Sequence, residues 1–217
     1  MSKLIPASLG ALGAGGLGVG GLMVLKPWQS ESVVTFKDKY SQALLDDKVD
    51  ATIWTKKYEE LKKVTPNHPK LVEAFEKTKA PADEARAKEL LKEGCLAIYS
   101  LPVENSKHFS DFKSFCSKTN VDVSENKDWI SEDVSSSKNK WDTALTSLKD
   151  YDPKVKGELD RELAKLKEGI KGSSETFPED KKTLLKGWCD SAKSSIFEGR
   201  DSVVFKNQES FCKVPAA

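Results

Sequence analysis

Four cysteines are the residues whose spacing bears most directly on chemistry. They are Cys95, Cys116, Cys189 and Cys212, and no two lie nearer than 21 positions. Zinc sites usually contain close pairs such as Cys-x-x-Cys, so this spacing argues against a metal site. Four cysteines allow three disulfide connectivities, and four buried free thiols are the alternative. An export-like N-terminus, described below, favours disulfides.

Two histidines are the other candidate ligands or general bases. His68 lies between Pro66 and Pro69 in an expected interhelical turn, and His108 precedes Phe109. Neither has a His or Cys partner nearby at metal-ligand spacing, so we expect both to be ordinary polar residues. The chain also lacks a Gly-x-Ser-x-Gly elbow and a phosphate-binding loop. We therefore predict no catalytic residue, no cofactor and no metal, and a protein that is not an enzyme.

One polar stretch partly follows the spacing of a calcium-binding loop. Oxygen-bearing side chains fill alternate positions and the twelfth: Asp122, Ser124, Asn126, Asp128 and Asp133. The sixth position is Lys127 instead of the usual Gly, and an Asp stands in place of the bidentate Glu. Both the turn geometry and the number of ligands are therefore wrong for calcium. We interpret the stretch as an acidic junction between two units.

The charge distribution indicates a solvated helical surface. The chain has 35 basic and 34 acidic residues among 217, and the two signs interleave along nearly every segment. Nucleic-acid-binding proteins usually gather a basic surplus on one face. We therefore predict no nucleic-acid partner.

The N-terminal segment is predicted to interact with a membrane. Residues 4–25 contain no ionisable side chain and are flanked by Lys3 and Lys26, which is the length a helix needs to cross a bilayer. This segment would be a single-pass anchor after a short flank of residues 1–3. Gly16 and Gly20 have the four-residue spacing that lets helices approach closely in lipid, so the anchor could also form a homo-oligomer.

Two alternatives to an outward-facing anchor follow from the same segment. Small residues at Ala11 to Gly13 or Ala14 to Gly16 could be signal-peptidase sites, which would make the protein secreted. The apolar run continues beyond them to Leu25, longer than a typical signal core, which favours an uncleaved anchor. The flanking lysines do not decide orientation, so a scaffold facing the cytoplasm is the other alternative.

The remainder of the chain contains an internal repeat. Four features recur in the same order: an amphipathic stripe (Trp54, Tyr58, Leu61; Trp141, Leu145, Leu148), a proline-led apolar pair (Pro69, Phe75; Pro153, Leu159), a Leu-Leu-Lys-x-x-Cys motif (90–95; 184–189) and a Ser-Phe-Cys motif (114–116; 210–212). Four matches in register indicate a duplicated domain.

The repeat predicts the domain organisation. A linker at 26–35 leads to repeat 1 at 36–118, a junction at 119–126, repeat 2 at 127–213 and a tail at 214–217. If both units fold alike, Cys95 pairs with Cys116 and Cys189 with Cys212. The dominant period is helical, so we predict an all-α fold in which the N-terminal transmembrane helix precedes two small bundles of three or four helices.

Three local patterns refine this prediction. An apolar stripe from Val155 to Ile170 predicts one helix ended by Gly172. Pro81 and Pro178 precede the cysteine-bearing helices as helix starts. Alternating strand patterns are scarce, and only Ser202 to Phe205 is expected to be briefly extended.

The start of the chain carries a resemblance to a known group. The sequence Met-Ser-Lys-Leu-Ile-Pro-Ala-Ser-Leu-Gly-Ala-Leu-Gly, the Gly-rich apolar stretch after it and the Ser-Phe-Cys motifs resemble large paralogous families of uncharacterised proteins in haemotropic mycoplasmas. The resemblance implies a surface protein of a wall-less bacterium that lives on red blood cells. It implies antigenic variation or host contact, and it brings no catalytic residues.

The expected function is therefore a class and not a specific activity. We expect a single-pass protein of the cell membrane whose helical region is extracellular and acts as a non-catalytic interaction or antigenic module. Its partners would be the membrane, through residues 4–25, and an unidentified host or surface protein. The competing class is a secreted enzyme of unknown type, which is disfavoured because no pair of residues has activating geometry by spacing.

Overall fold

A computed structural model describes residues 33–125, 127–174 and 176–214, which fall within one compact unit. In this part of the chain every regular element is helical and only isolated β-bridges occur, which confirms the predicted all-α class. The predicted anchor at 4–25, with Gly16 and Gly20, lies outside the described residues. No helix within the described ranges is long and apolar enough to cross a membrane.

The first half of the described chain is built around one long helix. The order is α1 (Phe36–Lys39), α2 (Ala51–Leu61), α3 (Pro69–Glu76), α4 (Glu84–Tyr99) and α5 (Phe109–Asp111). A 3-10 turn at Ser41–Ala43 follows α1, a π-helical turn at Phe112–Cys116 follows α5, and α6 (Asn120–Val123) lies in the junction.

The second half has a similar order of helices. It contains α7 (Lys140–Lys149), α8 (Pro153–Lys156), α9 (Arg161–Glu168), α10 (Glu179–Ser194) and α11 (Val203–Phe211). The cysteine-bearing helices α4 and α10 have 16 residues each. These parallels agree with the duplication hypothesis, which stays a prediction.

Side chains at the helix starts explain where several helices begin. The Asp83 carboxylate accepts a hydrogen bond from the Arg86 backbone N–H at 3.0 Å and caps α4. Proline occupies the first turn of α3 and of α8, as the sequence predicted. Pro178 immediately precedes α10, whereas Pro81 lies three residues before α4.

The prediction of a single helix from Val155 to Ile170 is wrong, because α8 ends at Lys156 and a separate helix, α9, begins at Arg161. Gly157 adopts a φ of 94°, a left-handed conformation that interrupts the helix and that glycine tolerates best. The Asp160 carboxylate then accepts a hydrogen bond from Glu162 N at 2.8 Å and starts α9. Val155 is consequently 79% exposed instead of part of the apolar stripe.

The extended segment predicted at Ser202 to Phe205 is also wrong. Ser202 Oγ accepts a hydrogen bond from Phe205 N at 3.3 Å, and α11 begins at Val203. Two adjacent β-branched valines resemble a strand in sequence. The capping serine and the packing of the following helix override that preference.

Two hydrophobic clusters form the interior. The first draws its buried residues from 36 to 116 and the second from 130 to 212. Trp54 and Trp141, which begin the two amphipathic stripes of the repeat, belong to different clusters and are 9% and 1% exposed. Each cluster therefore lies within one of the two predicted repeats.

Backbone hydrogen bonds connect the end of the predicted repeat 1 and the junction to the second half. Phe197 N donates to Lys118 O at 3.0 Å, and Asn120 N donates to Ser195 O at 3.0 Å. The Asn120 side-chain amide also donates to Ala192 O at 3.0 Å. Because these groups lie at the end of α10, the junction is a packed part of the fold.

Exposed ion pairs between residues three apart occur within the helices or just beyond their ends. Examples are Lys62–Glu59, Lys63–Glu60, Lys79–Glu76 and Arg86–Glu89. Pairs of this kind are screened by solvent and contribute little stability.

Two helical glycines should respond oppositely to substitution. A Cβ at Gly94 would lie 2.5 Å from Leu71 Cδ2, whereas a Cβ at Gly187 would meet nothing within 4 Å. Gly94→Ala should therefore lower the free energy of unfolding by about 1–3 kcal/mol through overpacking between α3 and α4. Gly187→Ala should raise it by up to about 1 kcal/mol through helix propensity. Urea denaturation of both variants checks this, and equal effects would contradict the close approach at Gly94.

Candidate functional site

The four cysteines form two buried disulfides. Cys95 is bonded to Cys116 with a Cα–Cα distance of 5.1 Å, and Cys189 to Cys212 with 5.6 Å. This is the connectivity that the repeat predicted, and no cysteine is free. Each bond joins a 16-residue helix to the segment that ends its half. All four sulfur-bearing residues are at most 1% exposed.

A buried tyrosine is hydrogen-bonded to the backbone of the first disulfide. Tyr99 lies one turn after Cys95 on α4, and its hydroxyl donates to Cys116 O at 2.7 Å while accepting from Leu45 N at 3.1 Å. Burial raises the pKa of Tyr99 to about 12, although the hydrogen bond from Leu45 opposes the shift. The neutral hydroxyl thus holds three segments of the first cluster together.

The structure brings together two histidines that sequence analysis treated as unrelated. The ring centroids of His68 and His108 lie 5.0 Å apart in an edge-to-face arrangement. The Asp111 carboxylate lies beside them, with Oδ2 accepting from His68 N at 2.6 Å and from Asn67 N at 2.9 Å. Its Oδ2 is also 3.8 Å from His108 Nδ1. Asp111, the last residue of α5, therefore fixes this helix to the turn before α3.

This cluster contains the residue types of a metal site, but its aspartate binds backbone N–H groups. The Asp111 oxygens already accept backbone N–H groups, and the described residues hold no group of three or more His, Cys, Asp or Glu side chains placed to bind a metal. Nδ1 of His68 and Nδ1 of His108 are buried without a hydrogen-bond partner among those residues. Protonating His68 would place a charge in a partly buried environment. No local motif signals this contact, because 40 positions separate the two rings.

The histidine cluster predicts a pH-dependent stability. Burial lowers the pKa of His68, the His108 ring lowers it further, and Asp111 opposes the shift. The unfolded chain, with an ordinary histidine pKa of about 6.5, therefore binds more protons as the pH falls through that value. The free energy of unfolding should decrease between pH 7 and pH 5, and His68→Gln should reduce this dependence. Denaturation curves at several pH values measure it; identical pH dependences in both proteins would contradict the assignment.

A buried ion pair organises the second cluster. Lys182 Nζ donates to Asp142 Oδ2 at 3.1 Å and to Ser136 O at 2.8 Å, and both charged side chains are at most 6% exposed. Asp142 Oδ1 also accepts from Phe177 N at 2.9 Å. Burial alone would raise the pKa of Asp142, but the Phe177 N–H and the Lys182 ammonium lower it below its usual value. The aspartate is thus an ionised structural acceptor.

Two side chains of the stretch that resembles a calcium loop, Asp122 and Ser124, make contacts within the protein. Asp122 accepts hydrogen bonds from Thr119 N at 3.0 Å and from Thr119 Oγ1 at 2.7 Å, and pairs with Lys56 at 2.9 Å. Ser124 Oγ donates to Glu209 at 2.6 Å. These contacts agree with the interpretation of the stretch as a junction.

The C-terminal end of the described chain is held against this junction by a buried lysine. Lys213 Nζ lies 3.1 Å from the centroid of the Trp129 ring and contacts Ser124 and Glu209. Burial lowers the pKa of Lys213 to about 8, and Glu209 opposes the shift. Trp129 and Lys213 also form a β-bridge, so the side-chain contact adds to a backbone one.

Comparison with known proteins gives no relationship from which a function could be transferred. No family model, no curated protein and no solved structure matches the chain.

Proposed function

We propose that this chain is a membrane-anchored surface protein whose disulfide-containing helical region acts as a non-catalytic interaction or antigenic module outside the cell. The observation that carries the proposal is the pair of buried disulfides, one in each hydrophobic cluster. Disulfides persist in oxidising environments and are rare where glutathione keeps thiols reduced. The uncharged segment at 4–25 supplies the anchor in this proposal.

Two features of the described region support an interaction module over a catalyst. The buried groups Tyr99 and Lys213, whose pKa values are shifted by burial, already make internal hydrogen bonds or ring contacts. The large apolar side chains that remain exposed include Leu96 at 63% and Leu184 at 57%, on the two cysteine-bearing helices. The outer faces of α4 and α10 are therefore the first surfaces to test for partner contact.

Protease treatment of intact cells tests the topology. A broad-specificity protease should remove the region from residue 33 onward, detected with an antibody against the helical region, while a cytoplasmic protein stays intact. Cells opened with detergent provide the control that both proteins are digestible. Full protection of the helical region on intact cells would overturn the proposal.

Mass spectrometry of the native protein, alkylated without reduction, separates the alternatives. The proposal predicts an unprocessed N-terminal segment together with peptides linked through Cys95–Cys116 and Cys189–Cys212. A new N-terminus within residues 11–17 would indicate a secreted protein instead. Four alkylated thiols would indicate a scaffold that faces the cytoplasm.

A further inference from the structure

A small cleft opens between α2 and α4 in the first half. Its volume is about 200 Å³, and it is lined by Asp47, Ala51, Trp54, Thr55, Lys88, Leu91 and Lys92. Most of the lining surface is apolar. This volume is below the roughly 300–1,000 Å³ typical of sites for drug-sized ligands, so an occupant would be a small molecule.

One polar atom in the lining residues lacks a partner. Trp54 is only 9% exposed, and within the described residues nothing accepts a hydrogen bond from its buried indole N–H. Buried tryptophans usually satisfy this donor. The side chain of Lys92 lies over the ring, with Nζ 5.7 Å from its centroid, so a flexible side chain covers the indole.

The corresponding polar groups in the second half have partners within the protein. In the repeat register, Trp54 corresponds to Trp141, Thr55 to Asp142 and Lys88 to Lys182. The indole N–H of Trp141 donates to Glu132 O at 2.9 Å, and Lys182 pairs with the Asp142 carboxylate. In the first half a threonine replaces that carboxylate, and Lys88 pairs with the exposed Glu84 instead. Independently of this difference, the Trp54 indole N–H has no acceptor among the described residues.

Two lysines supply cationic donors at the cleft. Lys88 and Lys92 line it together with Asp47, and Glu84 beside it balances the remaining positive charge. Lys88 pairs with Glu84 and Lys92 with Asp47, but both carboxylates are 61% exposed. Exposed ion pairs of this kind contribute little and are easily exchanged. A monoanion enclosed by the cleft would therefore compete well for the Lys88 ammonium.

We propose that this cleft binds a small carboxylate whose apolar body packs on Trp54 and Leu91 and whose head group accepts hydrogen bonds from Lys88. The ligand carboxylate takes the role that Asp142 has in the second half. When Lys92 moves aside, the indole N–H of Trp54 becomes a second donor to the same head group. The register step of this argument rests on the proposed duplication, whereas the cleft, its lysines and the unpartnered indole do not.

Titration of the full chain with three probes of matched length tests the ligand class. Hexanoate, hexan-1-ol and hexylamine differ only in head group, and binding is followed through the indole N–H resonances of 15N-labelled protein. We expect hexanoate to shift the Trp54 resonance, identified by its absence in Trp54→Phe, with saturation. Hexan-1-ol should bind at least about tenfold more weakly, since it lacks the charge-assisted hydrogen bond, and hexylamine should not bind.

Two variants and one control test the residues. Lys88→Gln should weaken hexanoate binding about tenfold without changing that of hexan-1-ol. Thr55→Asp should abolish hexanoate binding, because it supplies an internal carboxylate to Lys88. Lys186→Gln removes an exposed lysine of α10 and should change neither affinity. No hexanoate binding, equal affinities for hexanoate and hexan-1-ol, or equal effects of the two lysine variants would each overturn the proposal.

Discussion

Asp142→Ala should lower the free energy of unfolding by about 3–5 kcal/mol, because it leaves the Lys182 ammonium buried without its counter-charge. The lysine is 5% exposed at its side chain, and among the described residues it retains the Ser136 carbonyl as its one hydrogen-bond partner. The substitution also removes the acceptor for Phe177 N and one half of the capping box of α7. Since small domains are stable by roughly 5–15 kcal/mol, this one change should remove a large fraction of the total.

The double variant Asp142→Ala with Lys182→Met separates the charge from the other contacts. Replacing both members of a buried pair by apolar groups is often neutral or stabilising, so the double variant should recover most of the loss. Asp190→Ala is the matched control, since it breaks the exposed Lys186–Asp190 pair and should cost less than about 1 kcal/mol. Guanidinium denaturation with the disulfides intact measures all three. A loss for Asp142→Ala no larger than for Asp190→Ala would contradict the buried pair.

Removing the Cys95–Cys116 disulfide with paired alanines should cost about 3 kcal/mol, which the chain-entropy model gives for a bond that closes 21 residues. The Cys189–Cys212 bond closes 23 residues and should cost a similar amount. Thermal denaturation of the two double variants measures both losses. A loss below about 1 kcal/mol for either pair would show that the bond adds little to its cluster.

The shape of these transitions carries further information. Hydrogen bonds from Phe197 to Lys118 and from Asn120 to Ser195 connect the first half and the junction to the second half. Each disulfide variant should therefore still unfold in a single transition. Two separated transitions would mean that the hydrophobic clusters unfold independently.

Local sequence signals predicted the helical class, and the internal repeat predicted the disulfide connectivity. Prolines mark the starts of α3 and α8, and both tryptophans at the repeat positions lie in the core. These features depend on periodicity and on residues within one or two turns of each other. Such features can therefore be recognised in the sequence without knowledge of the tertiary packing.

Two elements were mispredicted because a single residue outweighed a pattern. Gly157 divides the apolar stripe that begins at Val155, since its left-handed conformation ends α8. Ser202 converts an apparently extended pair of valines into the start of α11. In both cases the deciding contact is a backbone conformation or a cap, which hydrophobic periodicity does not record.

The candidate sites were hidden for a different reason. The His68–His108 contact and the Asp142–Lys182 pair each join residues about 40 positions apart, and only packing of separate helices creates them. The cleft beside Trp54 likewise forms only where residues of α2 and α4 pack together, so no local pattern in the sequence predicts it. Comparing the two repeats position by position could have found the Thr55 difference, because Asp142 has no acidic counterpart there.

The exposed ion pairs along the helices bear on how this chain can change over generations. Each contributes less than about 1 kcal/mol, so most replacements at those positions leave the scaffold folded. The interior is constrained far more tightly, by the disulfides, by the Asp142–Lys182 pair and by the close approach at Gly94. Mutations can therefore accumulate on the outer surface at little risk to folding, and the face that other molecules meet can diverge quickly while the framework beneath it is preserved.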